Sequence, residues 1–229
     1  SKLDLQATAT ATLFTASVTS FKVGATNSGV LPVTFDVNDW YNFQNTGKDK
    51  QGNQSADSSG NPKLQIWASQ SDQGNFGLLS LDSDTGNAST IASWIHDGVP
   101  PSDVQSLLSK NLIPLNNGVN LWHWKGSTGF KASNAMDANQ HVGKTYLLPL
   151  FKPAVNTPDL YEPGVGQGTN YFYNIVEFVG VKILSTSDTN RELWVQPTVV
   201  SDPNAILGNF APANASSTFA TSFSVRLTN

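Results

Sequence analysis

The chain has 229 residues, no cysteine and a formal net charge of −4, and its Lys and Arg residues are scattered singly. These features exclude disulfides, thiolate metal sites and a Cys nucleophile, and they argue against the basic footprint that nucleic-acid binding needs. Charged residues make up only 13% of the chain, about half the usual ~25%, so Ser, Thr, Asn and Gln must supply solubility, as suits a β-rich protein outside the cytoplasm.

The chain opens at Ser1, without Met and already inside a patterned segment. This gives the expectation of a processed or shortened chain, with any targeting segment upstream of Ser1. LDLQATATATL (3–13) alternates, with Leu3, Leu5, Ala7, Ala9, Ala11 and Leu13 on one face, so a half-buried strand is expected. The phase flips at Phe14, which calls for a bulge or bend. VLPVTFDV (30–37) reads as a strand in which Pro32 favours an edge or the strand start. In DVNDWYNF (36–43), Asp36 or Asn38 can cap one or two helical turns carrying Trp40 and Phe43. Residues 45–62 are polar and Gly-rich and read as a long exposed loop. KLQIWAS (63–69) and NFGLLSLDS (75–83) read as strands.

Residues 87–111 are the strongest helical region. Ile91, Trp94 and Ile95 share a face and Gly98 is a stop signal. Ser102 and Gln105 have capping-box spacing ahead of Val104, Leu107 and Leu108. LWHWKG (121–126) reads as extended chain and KASNAMDANQHVG (131–143) as a weaker helix. TYLLPLFKP (145–153), YFYNIVEFVGVKIL (171–184), RELWVQPTVVS (191–201) and STFATSFSVRL (217–227) read as strands around a Pro/Gly-rich loop at 154–170. The sum is a mainly β, α+β protein. It is expected to form one domain over 1–229, with an antiparallel β-sandwich-like core from 1–85 and 145–229 and a helical insertion at 86–144.

Glu177 is the one carboxylate inside an apolar strand. Alternation places it on a face with Tyr173, Ile175, Val179, Val181 and Ile183. A catalytic acid looks like this, and so does a Glu at the sheet margin paired with Lys144, Lys182 or Arg191. Glycoside hydrolysis would need a second carboxylate ~5–10 Å away, and the sequence marks none, so no catalytic residue is expected. Trp122 and Trp124 flank His123 and are the candidates for a sugar-stacking surface or, if buried, for core; Trp67 and Tyr161 are weaker ones. Asp82, Asp84 and Asn87 in DSDTGN resemble the start of a calcium loop, but the same residues make a turn and helix cap, and the EF-hand Gly-then-Glu spacing is missing. Residues 49–60 raise the same choice. His96, His123 and His141 lack metal-binding spacing. GVGQGTN (164–170) runs into a strand, where a phosphate loop must open a helix. No cofactor is expected.

Several stretches together resemble one family. LPVTFDVNDWYNF (31–43), GNFGLLSLDS (74–83), LIPL (112–115), TYLLPLFKP (145–153), GTNYFYNIVEFVGVKIL (168–184) and LWVQPTVVSDPNAI (193–206) follow, in order, segments of TadG-like proteins as found in Planctomycetes, relatives of the assembly proteins of Tad/Flp pili. Where that family's "I-V-G-F" has Gly, this chain has Glu177. The resemblance implies a membrane helix upstream of Ser1 and an extracytoplasmic, non-enzymatic domain. Its partners would be other pilus-assembly or cell-surface proteins, with self-association possible. A secreted carbohydrate-binding or adhesive β-sandwich and a self-assembling filament or shell subunit are the alternatives.

Overall fold

The structure, a computed structural model, describes residues 11–15, 18–67, 76–81, 87–110, 112–114, 120–125, 132–152, 172–187, 189, 191–207 and 223–227. The first part of the chain forms β1 (Ala11–Thr15), β2 (Val18–Phe21), β3 (Val33–Asp36), α1 (Val37–Thr46), β4 (Leu64–Trp67) and β5 (Phe76–Leu78). Then come α2 (Ala88–Asp97), α3 (Pro101–Lys110), β6 (Leu112–Pro114), β7 (Asn120–Lys125) and α4 (Ala132–Asn139). The chain closes with β8 (Thr145–Phe151), β9 (Phe172–Ser187), β10 (Glu192–Pro197), β11 (Ala205–Leu207) and β12 (Phe223–Leu227).

The helix boundaries follow from capping chemistry. Asp36 accepts the Asn38 N–H at 2.7 Å to start α1, and Gly47, at φ 69°, ends it by donating its N–H to the Phe43 carbonyl. With both ends satisfied, α1 runs ten residues rather than one or two turns. Asn87 caps α2 and Gly98 stops it at φ 82°. For α3 the expected Ser102–Gln105 box is not the start. Pro101 is the first helical residue, and the Pro100 carbonyl takes the Val104 N–H at 3.1 Å. Proline suits that place because its missing N–H would have no helical partner.

The polar stretch after α1 is built rather than irregular. DKQGN (49–53) and DSSGN (57–61) form two identical turns. In each, the Gly N–H bonds the Asp carbonyl at 3.0 Å, and the Asp side chain takes both the Asn N–H and the Asn side-chain amide. Gly52 and Gly60 sit at φ 85° and 80°, where a side chain would be strained. Bridges Lys48–Gln54 and Ala56–Pro62 close the two corners into a short meander.

Among the described residues the main sheet has eight strands. Its path is β4-β10-β9-β8-β3-β5, with β7 also on β9 and β6 on β7. It is mixed, not purely antiparallel: β3 runs parallel to β8, Phe35 beside Leu150 and Asp36 beside Phe151. The cause is connectivity. The long excursion through α2, α3 and α4 lets β8 return alongside β3 in the same direction, which a tight hairpin cannot do. The stretch between β5 and β8 therefore holds three helices, but it also holds β6 and β7, and β7 joins the main sheet. Pro149 sits inside β8, and its carbonyl is satisfied by the Thr34 hydroxyl at 2.9 Å.

Cross-strand partners share a face. Tyr146, Leu148 and Leu150 pair Val181, Val179 and Glu177 on one face. There the Tyr146 hydroxyl donates to the Ile95 carbonyl of α2, so this is the helix side. Phe178 lies on the other face, edge-on to Phe21 of β2, which pairs with β11. Trp40, Phe43, Trp94, Ile91, Ile66 and Phe178 are fully enclosed, each worth roughly 1.5–3 kcal/mol or more of burial. The outer strands β4 and β5 curl toward each other, and Trp67 and Phe76 meet at 4.6 Å between ring centres. The sheet is thus nearly barrel-like. β1 pairs with β12 as a separate two-stranded unit.

Candidate functional site

β9 carries an extra residue. Leu150 pairs Glu177, but the next residue, Phe151, pairs Ile175, so Val176 is bulged. A bulge shifts the alternation by one. Glu177 therefore stands on the Leu150 face, whereas Ile175 stands with Phe151 on the other. The expectation that Glu177 shares a face with Tyr173 and Ile175 is overturned, although Val179 and Val181 do share its face.

On that face Glu177 meets α1. The Tyr41 hydroxyl donates to Glu177 Oε2, a contact between residues 136 apart in sequence. None of the basic partners expected for Glu177 takes this place. Burial pushes the Glu177 carboxyl above its ordinary 4.5, and the Tyr41 bond, which favours the ionised form, opposes that rise. The Tyr41 phenol is also pushed above its ordinary 10.0, first by its own partial burial and then by the hydrogen bond and charge of Glu177. Trp40 and Phe43, turned inward, fix α1 so that Tyr41 faces outward. Tyr41 stays 44% exposed and Val176, next to Glu177, 39% exposed. The result is a partly exposed aromatic ring whose hydroxyl is tied down.

The other sequence candidates separate. β7 places Trp122 opposite Ile175 and Trp124 opposite Tyr173 in the sheet. Trp67, offered for sugar stacking, is 9% exposed and packed on Phe76, so it has no free face. Tyr161 lies outside the described residues, as do Asp82 and Asp84. Asn87 Oδ1 is taken up as the cap of α2 by Ser89 Oγ, Thr90 N–H and Thr90 Oγ at 2.6, 2.9 and 3.0 Å. Asp49 and Asp57 accept the backbone and side-chain N–H groups of Asn53 and Asn61 within their own turns, so their local role is turn formation. The Asn61 bonds are the main reason Asp57 is held below its ordinary range. Among the described residues no group of three or more His, Asp or Glu is arranged to hold a metal.

Two further depressions exist. One, of about 40 Å³, lies where β4 and β5 approach, lined by Phe76, Trp194, Asp39, Asp49, Gln51 and Gln65 among others. Lys63 Nζ sits 4.8 Å over the Trp194 ring beside it. The other, of about 190 Å³ and open to solvent, lies at the end of α2 and is lined by His96, Asp97, Lys144 and Tyr146 among others. His96 and His141, far apart in sequence, meet next to it with ring centres 4.9 Å apart.

Comparison of the chain with known protein families, with curated proteins and with solved structures gives no match. The residues that build the Tyr41 surface are therefore read from geometry alone. Sequence reasoning missed Tyr41, whose place in the helix pattern marks it only as an outward residue. It also missed the bulge at Val176, because an extra strand residue leaves no mark in alternation until the partner strand is known.

Proposed function

We propose that this chain is the extracytoplasmic domain of a membrane-anchored, TadG-like cell-surface protein that serves pilus assembly through protein contacts and not through catalysis. The observation that supports this reading is the exposed Tyr41 ring on α1, tied at its hydroxyl to Glu177. Tyrosine is favoured at the centre of protein interfaces because it brings large area with few rotatable bonds. Here the Glu177 bond already fixes the ring's tip, so little ordering is left for a partner to impose. A carboxylate whose described partner is a tyrosine hydroxyl, with no second acid acting on it among the described residues, suits an anchor better than a glycosidase pair. In the same reading the β2–β11 ribbon, packed through Phe21 on Phe178, is the start of a second layer, which would make the core sandwich-like.

The test is genetic and cellular. The native gene is deleted, or replaced by the Tyr41→Ala variant, and surface filaments are counted by electron microscopy beside membrane fractionation. Loss of filaments in both strains, with Tyr41→Ala protein still folded and in the membrane pool, is expected. Unchanged filaments in the deletion strain, or a protein found only in a soluble secreted pool, would overturn the proposal.

A carbohydrate-binding role is the second reading, favoured by the crevice with Trp194, Phe76 and polar Asp39, Asp49, Gln51 and Gln65. Rings beside carboxylates and amides are sugar-binding chemistry, yet 40 Å³ is far below the ~300 Å³ of an enclosing ligand site. Only the edge of a sugar would be gripped there. Glycan-array binding lost in Trp194→Ala would promote this reading.

A further inference from the structure

α2 and α4 lie side by side. Their starts are tied by Asn134 Nδ2 donating to the Ala88 carbonyl at 3.1 Å, and their ends meet at His96 and His141. The end of α2 is held elsewhere too. Tyr146 donates to the Ile95 carbonyl, Asn27 Nδ2 to the Asp97 carbonyl at 2.8 Å, and Ser28 and Val99 exchange backbone bonds. His96 Nδ1 also contacts Asp97 Oδ1 at 2.6 Å. The end of α4 is tied to β9 instead: Gly143 N–H bonds the Ile183 carbonyl at 2.8 Å, Ile183 N–H bonds the Lys144 carbonyl at 3.0 Å and the Thr186 hydroxyl bonds the Ala135 carbonyl at 2.9 Å. Toward α2 it has the histidine contact, and no basic residue stands in the last turn of α4.

His141 is the unusual group at this corner. It is 2% exposed, and its Nδ1 is enclosed with no hydrogen-bond partner among the described residues. The charged and titratable groups around it are His96 and Asp97 at the end of α2, Asp137 on α4 itself and Lys144 just beyond. A neutral imidazole fits this enclosure. An imidazolium would carry a buried N–H with no acceptor, beside Lys144 and a second histidine.

From this geometry we infer that the His96–His141 corner is a proton-sensitive latch: in mild acid His141 takes up a proton and the end of α4 releases from α2, while α2 stays pinned to β8 and to the 27–28 segment. The direction of titration agrees. Burial first, then Lys144 and His96, hold His141 below its ordinary 6.5, against the weaker opposite pull of Asp137 and Asp97. The device rests on the corner alone and is independent of the function proposed above.

The test uses the whole chain. Its three histidines make the imidazole proton resonances easy to follow by NMR across pH 8 to 4.5, with backbone amide exchange measured beside them. One imidazole, assigned by its absence in His141→Phe, is expected to titrate below 6.5, and amides 138–144 to lose protection over the same range. Melting temperature should fall by roughly 2–4 °C from about pH 7.5 to 5.5, and His141→Phe should flatten that fall. Should His141→Phe fail to fold, Asp137→Asn serves instead, since loss of the carboxylate that favours the imidazolium should lower the titration midpoint further. Three imidazoles titrating at or above 6.5, an equal acid fall in His141→Phe, or an unmoved midpoint in Asp137→Asn would each overturn the inference.

Discussion

Glu177 and His141 are both ionisable groups drawn inward where a helix meets its neighbour, and they answer acid in opposite senses. Glu177 has its folded-state value raised above 4.5, so the folded protein holds more protons than the unfolded chain. Its contribution is fully present below about pH 4.5 and fades as pH rises through the folded value. His141 has its value lowered below 6.5. Its contribution is present above about 6.5 and is lost as pH falls toward the folded value. Mild acid should therefore relieve the buried charge of Glu177, which stabilises the fold, and loosen α4 from α2. The difference comes from partners. Glu177 keeps a donor, Tyr41, that eases its ionised state, whereas His141 Nδ1 has none among the described residues.

The harshest way to break this contrast is to disturb β9 itself. A Cβ at Gly180 would sit 2.2 Å from the Thr198 carbonyl oxygen. Gly180→Ala should cost about 3 kcal/mol or prevent folding, removing the rigid seat of Glu177, and denaturant melts would show it. Next comes the support behind the histidine corner. Asp202 accepts the Ser28 hydroxyl, the Gly29 N–H and the Asn204 N–H at 2.6, 2.7 and 2.8 Å. Asp202→Ala should cost about 2–3 kcal/mol and speed amide exchange in the Ser28–Val99 contact, leaving α1 alone. Tyr41→Phe removes one hydrogen bond, but Tyr41 is 44% exposed and water can substitute, so about 0.5–1 kcal/mol should be lost near pH 7. Near pH 4 the same variant should lose less, because a protonated Glu177 needs no such donor. The smallest effect belongs to Glu177→Gln. An amide can still accept from Tyr41 and carries no charge to desolvate, so stability near pH 7 should rise by a few tenths of a kcal/mol and the alkaline-side loss should disappear. A Glu177→Gln variant that loses stability would show that the carboxylate's charge is needed.

Much of the local structure was legible. Asp36, Asn87 and Gly98 mark helix ends by chemistry that acts over three or four residues, and the structure uses them so. Strands β4, β8, β9 and β10 were legible from apolar runs. What failed depended on distant partners. The parallel pairing of β3 with β8 is decided by how the chain returns, and the facing of Glu177 by an extra residue visible only against β8. Tyr41 could not be matched to Glu177 because nothing local joins residues 136 apart. The paired D-x-x-G-N turns are a different failure. Their repeat stands in the sequence, but a polar, Gly-rich composition reads as irregular unless the spacing is compared. Of the candidate sites, only the cap role of Asn87 was readable, since capping is local.

Those paired turns have one more implication, which concerns heading. Each corner, Asp49–Asn53 and Asp57–Asn61, reverses the chain. Two reversals restore the course it had on leaving α1, and it then enters β4 correctly aimed. Excising a single eight-residue unit would break the bonds that Ser55 makes to Gly47 and Lys63 and would also deliver the chain pointing backwards. Length here can change freely only in pairs of turns, so related chains that differ in this segment should differ by an even number of corners.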